Sequence, residues 1–170
     1  MLYVIVFLSG AVLMGLEMIG SRLLAPTFGT SIYVWGALIT VVMAALTLGY
    51  YLGGRIADRR PSLGAMGVIL ATAGLLVGFL PFWSIPVNRS LAELGPRAGS
   101  LVAALVFFFL PSTFLAAISP YSVKLASRSL TTIGGTAGRL SALSSAGSIL
   151  GTLITSFFLI PALGVRNIVH

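Results

Sequence analysis

The 170-residue sequence contains no cysteine, one histidine and three acids, Glu17, Asp58 and Glu93, and charged residues make up only 8% of it. Without cysteine there are no disulfides, no thiol nucleophile and no Cys-ligated metal, while the redox compartment stays open. The lone histidine is the final residue, His170, with no partner at metal-ligand spacing, so neither a metal nor another cofactor is expected. Soluble domains carry about 25% charged residues. A share of 8%, with 58% hydrophobic residues and a mean hydropathy of +1.09, excludes a water-soluble domain.

What is present instead is a series of apolar runs, several near the roughly 20 residues needed to cross a hydrocarbon core as a helix. The reading is an all-α, polytopic membrane helix bundle forming a single domain over residues 1–170. Five spans are expected, at about 2–24, 33–53, 65–83, 101–119 and 140–163. Their links are short and punctuated by Gly, Pro and Ser, as in "APTFGTS" and "RRPSLG". The first run lacks the basic n-region of a signal peptide, and no soluble domain follows it.

The formal charge of +7 comes from ten Lys and Arg scattered singly or in pairs between the runs. That scatter is a topology signal rather than a nucleic-acid surface, so no nucleic-acid partner is expected. Six basic residues fall in the second and fourth links (Arg55, Arg59, Arg60, Lys124, Arg128, Arg139), against four in the other links and the C-terminus (Arg22, Arg89, Arg97, Arg166). Cytoplasmic loops are enriched in Lys and Arg, so the N-terminus is expected inside a cell (inner) membrane. Tyr33, Trp35 and Trp83 then lie at the outer interface, with Tyr50 and Tyr51 near the inner one. The closing "GVRNIVH" reads as the lead-in to a sixth helix.

Glu17, in "MGLEMIGSR", is the first candidate site residue. It lies about 22 Å along the helix from Leu2, past the midplane. Intramembrane ionisable residues are costly and count as site hypotheses. Two readings stand: a carboxylate that binds a proton or a substrate amine, or a structural partner of Arg22 or of another helix. Burial and a neighbouring arginine act on its charge in opposite directions.

Pro111 and Pro120, in "FFFLPSTFLAAISPYSVK", each remove an amide donor and crowd the carbonyl four residues back, at Phe107 and Ala116. A kink, and so a candidate hinge, is expected, with Ser112, Thr113 and Ser119 available to satisfy the freed groups. The fifth span, "SALSSAGSILGTLITS", carries Gly147, Gly151 and Thr155 on one stripe and Ser144, Ser148 and Thr152 on the next. Small residues four apart let helix backbones approach closely, so this is foremost a packing face, toward the same chain or a second subunit. Glu93 and Arg97 read as a solvated loop pair, and the phenylalanines at 107–109 as lipid-facing or packing surface.

After the second span, "LGYYLGGRIADRRP" holds Gly54, Arg55, Asp58 and Arg59 in a G-x-x-x-D-R arrangement. This resembles the first half of the signature loop of major facilitator transporters, and the second half is here Pro61, Ser62 and Leu63. The resemblance implies a cytoplasmic gate in which Asp58 pairs with neighbouring helices. From the residues alone, Asp58 is suited to accept from helix N-terminal amides, with the arginines holding helix ends and lipid phosphates. The plain alternative is a positive-inside anchor with one acid relieving repulsion.

Over nearly the whole chain, "FLSGAVLMGLEMIGSRLLAPTFGTSIYVWGALI", "FFLPSTFLAAISPYSVKLA" and "GRLSALSSAGSILGTLITSFFLIPALG" are similar to the membrane-embedded N-terminal part of fused transporter and spermidine synthase proteins. The resemblance implies half of a major facilitator fold, a small organic cation such as a polyamine as substrate, and a cytoplasmic aminopropyltransferase-like partner domain. No nucleotide loop or acidic polyamine pocket of such a domain is present, so no enzymatic activity is expected. The lipid bilayer and self-association, as a homodimer or through a longer chain, complete the expected partners. A rival function is a non-transporting membrane anchor or scaffold for the synthase-like domain. Another is an assembly module held together through Gly147 and Gly151.

Overall fold

The computed structural model describes residues 1–127 and 133–162, and these are helical with no strand. Five α-helices follow in order: α1 (Leu2–Phe28), α2 (Ile32–Arg59), α3 (Leu63–Leu91), α4 (Gly95–Ala126) and α5 (Ile133–Ile154), the last continuing into a π turn at Thr155–Leu159. Four uninterrupted helical segments are long and apolar enough to cross a membrane: Leu2–Phe28, Ile32–Arg59, Leu63–Ala126 and Ile133–Ala162. The third spans 64 residues and holds both α3 and α4, so the expected third and fourth spans lie on either side of its internal turn. Arg128, Arg166, His170 and the closing "GVRNIVH" lie outside the described residues.

Local chemistry sets the turns. α1 stops at Gly29, whose φ of 78° favours a residue without Cβ, and the Gly29 N–H returns to the Ala25 carbonyl at 2.9 Å. Ser62 caps α3 by accepting from the Ala65 N–H at 3.1 Å. Between α3 and α4 a 3₁₀ turn, Ala92–Leu94, leads into Gly95 at φ 73°, and Pro96 opens the next helix, where its missing donor costs nothing.

The bundle is organised around α4, which touches every other helix and buries the most residues. One core cluster joins Leu24, Leu38, Phe107 and Phe108; a second, toward the other end, joins Val6, Met66, Ile118, Tyr121 and Leu140. The phenylalanines at 107 and 108 are therefore packing surface, 1% exposed each.

The closest approaches are backbone against backbone. Gly49 and Gly53 of α2 face the carbonyls of Thr113 and Ala117 on α4, leaving no room for a Cβ at either glycine. Gly147 and Gly151 of α5 face the carbonyls of Phe7 and Ala11 on α1 in the same way. In both seams the residue numbers rise together, so α2 runs parallel to α4 and α1 parallel to α5, while α3, which links α2 to α4 in the chain, packs back along α4. Two glycines four apart meet two carbonyls four apart each time. The α5 seam thus uses the same kind of contact as the α2 seam, with α1 in the place of α4. Ser148 adds a hydrogen bond to the Gly10 carbonyl at 3.2 Å, the interhelical hydroxyl contact that small-residue seams favour.

Candidate functional site

Two places concentrate polar chemistry in this apolar bundle. The first is the end of the α2–α4 pair. Ala45, Gly49, Gly53 and Ala57 recur every four residues and are buried along one stripe of α2, which turns the next residue, Asp58, out toward the end of α4. There the Asp58 carboxylate accepts from the Lys124 ammonium at 2.7 Å. Beneath it, Tyr121 is fully buried, and its hydroxyl donates to the Arg60 carbonyl and accepts from the Ser62 N–H at 3.1 Å. A tyrosine and a lysine on α4 therefore hold the α2–α3 link against the helix that organises the bundle.

The sequence-based site residues map onto this clamp unevenly. Asp58 does not cap α3, because Ser62 occupies that position, and its ionic partner is Lys124 rather than Arg55 or Arg59. Arg55 turns back along its own helix, donating to the Tyr51 hydroxyl at 2.9 Å with its guanidinium 6.0 Å from that ring. Gly54 lies beside Pro120, where a Cβ would sit 4.0 Å from the proline ring, an ordinary contact. The tight position is Gly53, one residue earlier. Arg59 is exposed.

α4 stays helical through Pro111 and Pro120. The hydroxyls proposed to relieve them do not reach the freed carbonyls: Thr113 donates to Phe109 at 2.7 Å, and the buried Ser112 hydroxyl has no partner among the described residues. The α2 seam, Tyr121 and Lys124 were not singled out from the sequence. The four-residue spacing of Ala45, Gly49, Gly53 and Ala57 was readable there; the role of Tyr121 was not, since its partners are backbone groups about 60 positions away.

The two clamp contacts differ in worth. Both ions of the pair are substantially exposed, so Asp58→Asn is expected to cost under about 1 kcal/mol. Tyr121→Phe leaves a buried amide and carbonyl short of a partner and is expected to cost about 1–3 kcal/mol. Unfolding by SDS titration in mixed micelles measures both, and a larger loss for Asp58→Asn than for Tyr121→Phe would reverse the ranking.

The second place is α1. Glu17 is half-buried and makes no hydrogen bond or ion pair among the described residues. Arg22 does not pair with it, because five residues turn a helix by about 500°, leaving the two side chains about 140° apart. One turn after Glu17, Ser21 enters the wall of a pocket of about 280 Å³, which Arg22, Thr30, Trp35 and Ser156 also line. Two further grooves, of about 280 and 420 Å³, flank Val12 and have almost entirely apolar walls. At the same end of the bundle the Arg97 guanidinium lies 5.0 Å from the Tyr33 ring rather than on Glu93, and Asn88 donates to the Leu23 carbonyl at 3.1 Å, tying α3 to α1. Among the described residues, no group of three or more His, Cys, Asp or Glu is placed to hold a metal ion. Compared with protein families, with curated proteins and with solved structures, the chain matches none.

Proposed function

We propose that this chain is a transporter half, similar to the membrane part of the fused transporter and spermidine synthase proteins, which moves a small organic cation such as a polyamine. The observation that carries the reading is Glu17: a carboxylate well inside a membrane-length helix, with no ionic or hydrogen-bonded partner among the described residues. Intramembrane carboxylates left unpaired by the fold are held for ligands or protons. In this reading Glu17 takes the substrate amine or the coupling proton.

The rest of the bundle supports the assignment. Parallel α1–α5 and α2–α4 seams, with α3 packing back along α4, suit five membrane crossings and the half-transporter topology, with the N-terminus inside the cell membrane. Gly54, Arg55, Asp58 and Arg59 form the cytoplasmic gate, in which the exposed Asp58–Lys124 pair is weak enough to break on each cycle. Pro111 and Pro120 supply the hinge in α4. A central cavity needs a second half, so the working unit is a homodimer or a longer chain.

The test is uptake of labelled spermidine into proteoliposomes, with and without a pH gradient. Saturable uptake is the expected result. Folded protein that moves no solute yet binds an aminopropyltransferase-like domain would overturn the transporter reading in favour of a membrane anchor.

A further inference from the structure

The pocket between α1, the start of α2 and the π turn has a chemistry that the cation reading does not use. Its one ionisable wall residue is Arg22, which has no carboxylate partner among the described residues. The three acids of the chain are placed elsewhere: Asp58 is taken by Lys124, and neither Glu17 nor Glu93 is among the pocket residues. Arg22 is exposed, so its guanidinium is open to a counter-charge from outside the chain.

The other polar side chains of the wall include three hydroxyls, set among Met18, Ala25, Val34 and Ile160. Thr30 and Ser156 make no hydrogen bond among the described residues, so both hydroxyls are available, whereas the Ser21 hydroxyl is spent on the Met18 carbonyl at 2.9 Å. Thr30, Val34 and Trp35 bring the N-terminal turn of the 28-residue α2 to the pocket. That terminus carries no side-chain cap: Ser31 stands at the capping position, and its buried hydroxyl is unpartnered. The Val34 and Trp35 amides bond the Ser31 carbonyl at 3.1 and 3.5 Å, which leaves the Ile32 and Tyr33 amides and the positive end of the helix dipole to favour an anion nearby. Opposite, Ser156 is presented by the π turn, in which the Ile160 N–H bonds the Thr155 carbonyl five residues back. Pro161 follows at once, and its ring crowds the carbonyl four residues back, at Phe157, inside the widened turn.

Depth narrows the ligand. Arg22 lies about 30 Å along α1 from Leu2, the thickness of a hydrocarbon core, and Trp35 stands beside it as interfacial tryptophans do. Phosphate is the anion concentrated at that level, and the guanidinium fork matches two of its oxygens.

We infer that Arg22, the uncapped start of α2 and the Thr30 and Ser156 hydroxyls form a binding site for a phosphate oxyanion at the membrane interface. The phosphate belongs either to a phospholipid headgroup or to a free solute, and one experiment separates the two. Protein carrying Trp83→Phe, which keeps a ring against Phe107, is purified in maltoside micelles that contain no phosphate, leaving Trp35 as the sole reporter. It is titrated with brominated phosphatidylglycerol in one arm and inorganic phosphate in the other.

Saturable quenching by the lipid, weakened about tenfold or more by Arg22→Gln, is the expected result for a headgroup site. A saturable change in Trp35 emission with inorganic phosphate, lost in the same variant, places a free solute there. Arg22→Lys should recover part of the affinity, since it keeps the charge without the fork. Thr30→Val and Ser156→Ala should each weaken binding severalfold, and they carry the test if Arg22→Gln loses its helical circular dichroism. Titration curves unchanged across the folded variants in both arms would overturn the site.

Discussion

Glu17→Gln is expected to bring saturable spermidine uptake to background while leaving the bundle as stable as before. Glutamine keeps the size and hydrogen-bonding shape of the side chain and removes only its capacity for charge. If an amine docks on the carboxylate in an environment poor in water, losing one partner of that pair costs about 2–5 kcal/mol, or roughly thirtyfold upward in affinity. If the carboxylate carries the coupling proton instead, glutamine cannot exchange it, and gradient-driven uptake stops outright. Stability should not follow activity, because Glu17 has no partner among the described residues to lose. Replacing an unpaired ionisable group at that depth is neutral or slightly stabilising. Uptake in proteoliposomes, set beside thermal unfolding of the same preparations, reads both quantities. Full uptake by the variant would remove Glu17 from the mechanism.

The second large effect is on the fold. Gly151→Leu is expected to destabilise the bundle by about 3 kcal/mol or more, since overpacking against a surface that cannot yield exceeds the usual 1–3 kcal/mol range. The carbonyl it meets, at Ala11, is backbone in a continuous helix and cannot rotate aside as a side chain would. Separating α1 from α5 also breaks the Ser148 bond to Gly10. Gly53→Leu should behave alike in the other seam, because the surroundings of Gly53 match those of Gly151. Gly67→Ala, with open space where its Cβ would be built at an exposed position of α3, is the control and should leave stability unchanged or raise it by up to about 1 kcal/mol. SDS titration ranks the three variants. A Gly151→Leu protein that unfolds like the wild type while losing self-association would place this glycine at an interface between chains instead.

The helices themselves were readable because bilayer-length apolar runs admit few alternatives, and the Gly, Pro and Ser links marked where each had to turn. The first four helices run past their expected spans, α2 by six residues at its C-terminal end, because the charged turn after Gly53 stays helical to Arg59, and the fifth starts seven residues before its expected position. Hydropathy marks the lipid-facing length and is silent about the wetted turns beyond it. The small-residue stripe of α5 was legible from spacing, but its partner was not: nothing in "SALSSAGSILGTLITS" names the carbonyls of Phe7 and Ala11. The Asp58 site was legible only as a concentration of charge. Choosing Lys124 over three nearer arginines required knowing that α4 runs parallel to α2 and ends beside it. Tyr121 and the Arg22 pocket depend on backbone groups and turns from separate parts of the chain, and such meetings leave no local periodicity to find.

The two glycine seams also differ in when they can close. On the ribosome, chains lengthen by about 5–20 residues per second. Gly49 and Gly53 meet residues of α4 made some 64 positions later, whereas Phe7 must wait for Gly147, a separation more than twice as long. At those speeds about 7–28 s pass between the synthesis of Phe7 and that of Gly147, its partner in the seam. During that wait α1 has to persist without its α5 partner, packed only on the helices already made, with Glu17 and Arg22 aboard. The uncharged stretch from Leu2 to Leu16 lets it do so, and the parallel α1–α5 seam is the step that completes the bundle.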